Sequence, residues 1–440
     1  MSRFTSKLIN KIDSLRQVLF YAILAIFLGF TISLSLYTPS FEGPDENSHY
    51  LWTLDTLHGN IHAGEIDVMP VYYSINAFFL NYIPHPENIE IQLNPSYSEH
   101  DPNKFNHFQE EKFPFSGTAF PVHLLRIFSI ICGAVTVIFT YKIAQIVVST
   151  NKWLPLFSTA FVAFIPKFQF QSAVMNPDAL VWALSTISIY LLLRFVNQQN
   201  KIKYLILLGI FAGFAYLSKP NGIVLIPVVL ITFTYLLFSK QINRKQFLKY
   251  FTIFFIIFLV SGGAYEFYRN EIVFTEPFIK DYTLTIKAGV DCMTLSYFNI
   301  TMLYYPLGYI GWNMIPPTYE AVFTLSVIIT VAIAGLFLVS VKKISLSNVK
   351  FEGKYAAPLY ASPVFIILGL FWWLSHICGA DIRYTFPVIS SFGILTGIGL
   401  YAFVDKPRLK WLLVLPIIFL ITQDAHIITQ INIQYLHGFK

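Results

Sequence analysis

The segment Phe41-Glu42-Gly43-Pro44-Asp45-Glu46-Asn47-Ser48-His49-Tyr50 holds two adjacent carboxylates and, shortly after them, an imidazole. Pro44 suits the first position of a helix, Asp45 and Glu46 suit its positive end, and Gly59 is a natural terminator. The spacing therefore predicts a short helix over 44–58. On such a helix Asp45 and His49 are i,i+4, and Glu46 and His49 are i,i+3, so the three polar groups share one face. Two carboxylates beside an imidazole suit general-base catalysis, or a divalent cation held by Asp45, Glu46 and His49. The plainer alternative is that acids at a helix start only complement its dipole. Leu51, Trp52, Leu54 and Leu57 would let the helix lie on a membrane surface.

The elements that must carry this helix are transmembrane. Of 440 residues, 55% are hydrophobic, 17% aromatic and only 12% charged, against about 25% charged in an average soluble protein. A mean hydropathy of +0.59 and repeated long apolar runs indicate an all-α, polytopic membrane protein and exclude a soluble globule, a disordered chain and a coiled coil. Three cysteines exclude a disulfide scaffold. Eleven apolar runs predict spans at 17–37, 122–141, 153–166, 179–193, 204–218, 221–239, 250–265, 319–340, 356–377, 384–403 and 411–428.

With the N-terminus taken as cytoplasmic, twenty of the thirty Lys and Arg fall in short inner segments, while all but three of the twenty-four acids lie outside. That is the positive-inside pattern, so the net charge of +6 sets orientation and gives no reason to expect nucleic acid. The first apolar run reads as an uncleaved helix, and an odd number of spans puts the C-terminus outside. All ten histidines fall on the outer side, so chemistry is expected there. Within a single membrane domain, 1–440, two outer loops are too long to be connectors: 38–121, which holds the candidate motif, and 267–318. Both are expected to carry short interfacial helices.

No charged residue or histidine occupies the middle of any predicted span; Arg126, Lys167, Glu266, Glu320 and Asp424 stand at ends. This speaks against an ion-coupled transporter and places the site at the outer membrane–water boundary. No Walker loop, dinucleotide fingerprint, zinc-protease motif or nucleophile elbow occurs.

Five stretches together resemble the GT-C superfamily of membrane glycosyltransferases, and within it a bacterial multi-pass family of unknown function. They are Pro44-Asp45-Glu46 with His49-Tyr50, Met69-Pro70-Val71-Tyr72-Tyr73, Asn176-Pro177-Asp178-Ala179, Gly308-Tyr309-Ile310-Gly311-Trp312 and Arg383-Tyr384-Thr385-Phe386-Pro387. The resemblance covers about residues 17–400. One departure is that Ala380-Asp381-Ile382 precedes Arg383, where the family often has glycine.

The resemblance implies a GT-C-like fold in a bacterial inner membrane. It also implies transfer of a sugar from a polyprenyl-phosphate carrier to a glycan, lipid or protein acceptor outside the cytoplasm. A phosphate carrier is already a good leaving group, so such a site needs a base for the incoming hydroxyl and cations for the departing phosphate. Asp45 is the first choice for the base and Glu46 the second. Lys219, in a tight outer turn, and Arg383, before the tenth span, are the phosphate candidates; the alternatives are a snorkelling lysine and a topology residue paired with Asp381. His49, Tyr50, Asp178 and Tyr384 join them on the substrate side, although an acid after Pro177 is also an ordinary helix-start device. Trp312, Tyr304, Tyr305, Trp372 and Trp373 read as interface aromatics. Cys292 and Cys378 lie on one side and could pair, and Asn299-Ile300-Thr301 is a formal glycosylation sequon. Two other functions remain open: a cell-surface polysaccharide polymerase or ligase with diphosphate-linked donors, and a lipid-linked glycan transporter or non-catalytic envelope component.

Overall fold

The computed structural model describes residues 2–60, 69–86, 89, 91–98, 101, 103–198, 201–265, 307, 311, 315–342, 344, 346, 349, 352–374, 381–405 and 408–436; its side chains are described from Ser14 on, apart from 373, 374, 434 and 436. Fourteen α-helices make up these residues: α1 Ser2–Tyr37, α2 Glu46–Leu57, α3 Pro70–Leu80, α4 Ala119–Val147, α5 Leu154–Ala163, α6 Pro166–Ala173, α7 Pro177–Asn197, α8 Ile202–Ser218, α9 Leu225–Phe238, α10 Arg244–Phe258, α11 Tyr319–Ser340, α12 Gly353–Leu374, α13 Ile389–Val404 and α14 Val414–Leu436. Among the described residues the only β pairing is two isolated bridges, Leu93 with Phe105 and Ser98 with Asp101.

Nine helical segments here are long and apolar enough to cross a membrane. The other two expected spans coincide with shorter apolar helices, α5 and α8. The run at 153–166 is interrupted because Ile165, ahead of Pro166, is extended (φ −71°, ψ 116°), as the proline ring requires. The chain restarts at once as α6. The last span also differs from expectation. Its helix continues to Leu436, so Asp424 lies mid-helix rather than at an end, buried and accepting a 2.8 Å hydrogen bond from Gln169 Nε2.

The main core lies where α4, α5, α7, α8 and α13 pack together, and α1 with α14 covers α5 and α6. Helices α11 and α13 approach backbone to backbone. A Cβ at Gly335 would stand 2.0 Å from the Gly399 carbonyl oxygen, so only glycine fits there. Close approach of this kind supplies dispersion contact in lipid, where hydrophobic burial between helices does not.

The first outer loop carries a core of its own. Tyr50, Leu54, Tyr72, Tyr73, Leu80 and Phe105 pack on Val122 and Leu125 of α4 and on Met175 and Ala179 near the start of α7. Leu54 therefore faces protein rather than a membrane surface, whereas Leu51 remains 39% exposed. A buried ion triad closes the loop. His107 Nε2 meets Glu42 Oε1 at 2.9 Å, and its Nδ1 meets Glu111 Oε2 at 3.1 Å. Burial opposes the charge on His107, but hydrogen bonds to Glu111 and Glu42 outweigh it and raise its pKa from 6.5 to about 9. The part of the triad's stability that comes from the His107 charge is thus whole at about pH 6.5 and is lost as pH rises through about 9. Limited proteolysis should cut the 91–111 segment faster above pH 9 in wild type, with His107→Gln already fast at neutral pH. A wild-type rate that stays flat with pH would contradict this.

Of the second long loop, only Leu307, Gly311 and residues 315–318 are described. The expectations for Cys292 with Cys378, Trp312, Tyr304, Tyr305, the Asn299 sequon and the rest of the Gly308–Trp312 stretch lie outside the described residues, as does the Trp373 side chain.

Candidate functional site

The helix that carries the motif begins two residues later than its spacing predicts. Pro44 stays outside α2, and Asp45 takes the N-cap position with φ 64° and ψ 5°, the left-handed region that asparagine and aspartate tolerate better than other side chains. Gly43 lets this turn press against the α6–α7 connection, since a Cβ there would stand 2.7 Å from Val174 Cβ. The left-handed turn swings Asp45 away from Glu46. The Asp45 side chain is 45% exposed, and its Oδ2 meets Arg383 Nη2 at 2.8 Å.

Glu46 goes the other way, which corrects its assignment as a second base or cation ligand. It is fully buried against Arg126, whose Nε and Nη2 donate to it at 2.7 and 2.6 Å. Arg126 also donates to the carbonyls of Ser35, Thr38 and Pro39, and Glu46 accepts from the Phe41 and Met175 amides. This clamp ties the end of α1, the motif and the start of α7 to α4. Removing one partner strands a buried charge, so Arg126→Ala should destabilise the protein by about 3–5 kcal/mol. Thermal unfolding in detergent reads this; an unchanged midpoint would contradict it.

With Glu46 withdrawn, Asp45, Glu46 and His49 do not form a ligand set. Among the described residues no group of three or more His, Cys, Asp or Glu is arranged to hold a metal. His49 is buried, with its Nδ1 3.0 Å from the Tyr73 hydroxyl. Burial, reinforced by the charges of Lys219 and Arg383 and opposed by Asp45, lowers its pKa to about 3, so the imidazole is neutral. Tyr50 is also corrected. It is fully buried, edge-on to Phe41 with ring centroids 5.9 Å apart, and belongs to the loop core.

The remaining expected residues come together where the ends of several helices meet. Asn176 caps α7 by accepting from the Asp178 amide at 2.8 Å. Asp178, fully buried, has Lys219 Nζ 2.8 Å from Oδ1 and Arg383 Nε 3.6 Å from Oδ2. Lys219 follows α8 in an extended conformation forced by Pro220 and reaches over the Tyr384 ring, 4.6 Å from its centroid. Tyr384 also lies under Arg383, whose Cζ is 5.5 Å from the same centroid, and its carbonyl accepts from Asn221 Nδ2. Burial raises the Asp45 pKa, but the positive charges of Arg383 and Lys219 outweigh it, and the carboxyl lies below its usual value.

Two members were not assigned to the site from sequence. Lys167, the second residue of α6, is fully buried with its Nζ 3.0 Å from Asp381 Oδ2. Asp381 in turn caps the 3₁₀ segment Ile382–Val388 by accepting from the Arg383 amide at 3.1 Å, and its carboxylate stands 3.8 Å from Arg383 Nε. The site thus gathers Asp45, Asp178 and Asp381 with Lys167, Lys219 and Arg383. Arg383 is 7% exposed in its side chain, and its Nη1 is buried without a hydrogen-bond partner. Such a guanidinium can accept an oxyanion. The half-exposed carboxylate of Asp45 beside it can accept a proton from a group arriving from outside.

Residues 119–265 match a family described as dolichyl-phosphate-mannose-protein mannosyltransferase. This stretch includes Arg126, Lys167, Asp178 and Lys219. No curated protein sequence matches the chain. Among solved structures, the Archaeoglobus fulgidus oligosaccharyltransferase in complex with Zn and sulfate aligns at a TM-score of 0.54 and 14% identity, over 92% of this chain and 53% of that one. ArnT from Cupriavidus metallidurans bound to undecaprenyl phosphate aligns at 0.49 and 12% identity, over 90% and 62%. The protein O-mannosyltransferase Pmt1-Pmt2 complex of S. cerevisiae aligns at 0.41 and 20% identity, over 60% and 35%. The chain spans less than two thirds of the length of each of these.

Proposed function

Because the chain folds as the GT-C membrane glycosyltransferases do, we propose that it transfers a sugar from a polyprenyl-phosphate carrier to an acceptor on the non-cytoplasmic face. One observation carries this reading: Asp45, half exposed, stands within 2.8 Å of a guanidinium whose Nη1 is buried without a hydrogen-bond partner, and Lys219 completes the cationic side. A base for an entering hydroxyl and cations for a leaving phosphate thus share one small volume. The matched family's description, which names a dolichyl-phosphate donor, supports the same donor chemistry.

In the reaction, the acceptor oxygen attacks the anomeric carbon opposite the carbon–oxygen bond to the phosphate. Asp45 takes the hydroxyl proton as the new bond forms, and the electron pair of the broken bond stays on the phosphate oxygen. Arg383 and Lys219 stabilise the charge that develops there. The Tyr384 ring lies against both cations, and Asp178 pairs with Lys219. Neutral His49, whose amide donates to the Asp45 carbonyl, holds its ring against the Tyr73 hydroxyl. In-line displacement of this kind inverts the anomeric centre. Glu46, committed to Arg126, takes no part in the scheme.

The test is transfer from a polyprenyl-phosphate sugar to acceptor lipid or glycan by the purified protein in detergent. No turnover with any monophosphate-linked donor, but turnover with a diphosphate-linked one, would move the protein to polymer or oligosaccharide transfer. Orientation is tested separately. An alkaline phosphatase fused after Lys440 should be active, and one placed within 240–249 inactive. The reverse pattern would put the site on the wrong side for this reading.

A further inference from the structure

Helix α6 carries Lys167, Gln169 and Gln171, all fully buried. Lys167 and Gln171 are i,i+4 and so share a face. From that face Lys167 holds Asp381, while Gln171 Oε1 accepts a short hydrogen bond from Asn176 Nδ2, the residue that caps the Asp178 amide. Both carboxylates behind Arg383 are therefore set from one side of α6. Their distances differ in an informative way. Asp381 lies 3.0 Å from Lys167 but 3.8 Å from Arg383, and Asp178 lies 2.8 Å from Lys219 but 3.6 Å from Arg383. In each case the nearer lysine takes the carboxylate and leaves the guanidinium beyond hydrogen-bond reach, which is about 3.2 Å.

We propose that Lys167 is a positioning residue for Arg383. By binding Asp381 it keeps that carboxylate from closing on the guanidinium and so leaves Nε and Nη1, the nitrogens that Asp45 does not hold, open to the carrier phosphate. Without Lys167, Arg383, 3.8 Å away, is the remaining cation beside Asp381 among the described residues. A buried carboxylate without its partner moves to the nearest cation, because an unpaired charge is poorly solvated there. The donor phosphate would then compete with a direct ion pair. The proposal rests on the reading of Arg383 as the phosphate-binding cation.

The test compares donor KM and kcat in Lys167→Met, Lys167→Arg, Asp381→Asn and the double variant Lys167→Met/Asp381→Asn. Asparagine at 381 keeps the cap on the Arg383 amide but carries no charge. Lys167→Met should raise donor KM about tenfold with kcat within about threefold of wild type, and Lys167→Arg should stay near wild type. The double variant should return KM to within about threefold of wild type, which a residue needed only for folding would not do. A loss confined to kcat, or a raised KM that Asp381→Asn does not relieve, overturns the proposal. If Lys167→Met yields no protein, the double variant is compared with Asp381→Asn alone. Equal donor KM is expected, and a clearly worse double overturns it. If the wild type transfers no sugar, the function reading fails by itself. The Arg383 Nε–H resonance, assigned by its loss in Arg383→Lys, then decides the present point. It should shift in Lys167→Met and return in the double variant, and a stationary resonance overturns the proposal.

Discussion

Asp45→Asn should lower sugar transfer by about 10²–10⁴-fold, the usual contribution of a general base, or roughly 3–5 kcal/mol of barrier. The substitution isolates chemistry from folding unusually well. Asparagine tolerates φ 64° about as readily as aspartate, and its side-chain oxygen can still accept from Arg383 Nη2. What it cannot do is take a proton. Arg383 holds the Asp45 pKa below its usual value, which keeps the base ionised at neutral pH but makes it weaker. The weakness is tolerable because phosphate leaves readily, so proton transfer need only accompany bond formation. The check is the initial rate of transfer in detergent, with membrane yield and thermal midpoint as controls. A near-wild-type rate would reduce Asp45 to a helix-start acid and favour a transport or scaffold role.

Arg383→Ala should cost about 10²–10³-fold in transfer, the range found when one donor to a developing oxyanion is removed. Arg383→Lys should recover only part of this. A lysine keeps one charge but not the planar fork that can meet a phosphate with two parallel hydrogen bonds. It would also have to serve both Asp45 and the phosphate from a single ammonium. Lys219→Ala should act mainly through donor KM, because its ammonium already serves Asp178 at 2.8 Å. Rates in the two Arg383 variants, with carrier binding measured separately, check the point. Wild-type turnover and carrier binding in Arg383→Ala would remove Arg383 from the site.

Much of the architecture is legible in the sequence because membrane insertion is decided locally. An apolar run and its flanking charges carry the information wherever the partner helices lie. The apolar runs accordingly fall on the apolar helices, although α5 and α8 are short and Pro166 divides one run in two. Contacts between distant residues are not legible in this way. Helical spacing places Glu46 beside His49, but its direction is set by Arg126, eighty residues away, and by one left-handed residue that no periodicity reports. Tyr50 looks like part of the motif and is claimed by the loop core. Lys167 reads as the charged end of an apolar span, and only the fold brings Asp381 to it. Asp178, Lys219, Arg383 and Tyr384 were separately visible as outer-side residues, and their convergence on one ring and one guanidinium was not.

The left-handed Asp45 also shapes what heredity can do at this position. Most random changes there would meet two independent penalties, because a side chain branched at Cβ resists φ 64° and any neutral side chain abandons the proton. Asparagine and glycine escape the first penalty but not the second. A saturation library selected only for intact protein should therefore retain Asp, Asn and Gly at 45, while one selected for activity should retain Asp alone. A lineage that drifts out of catalysis while keeping this fold would leave through asparagine or glycine.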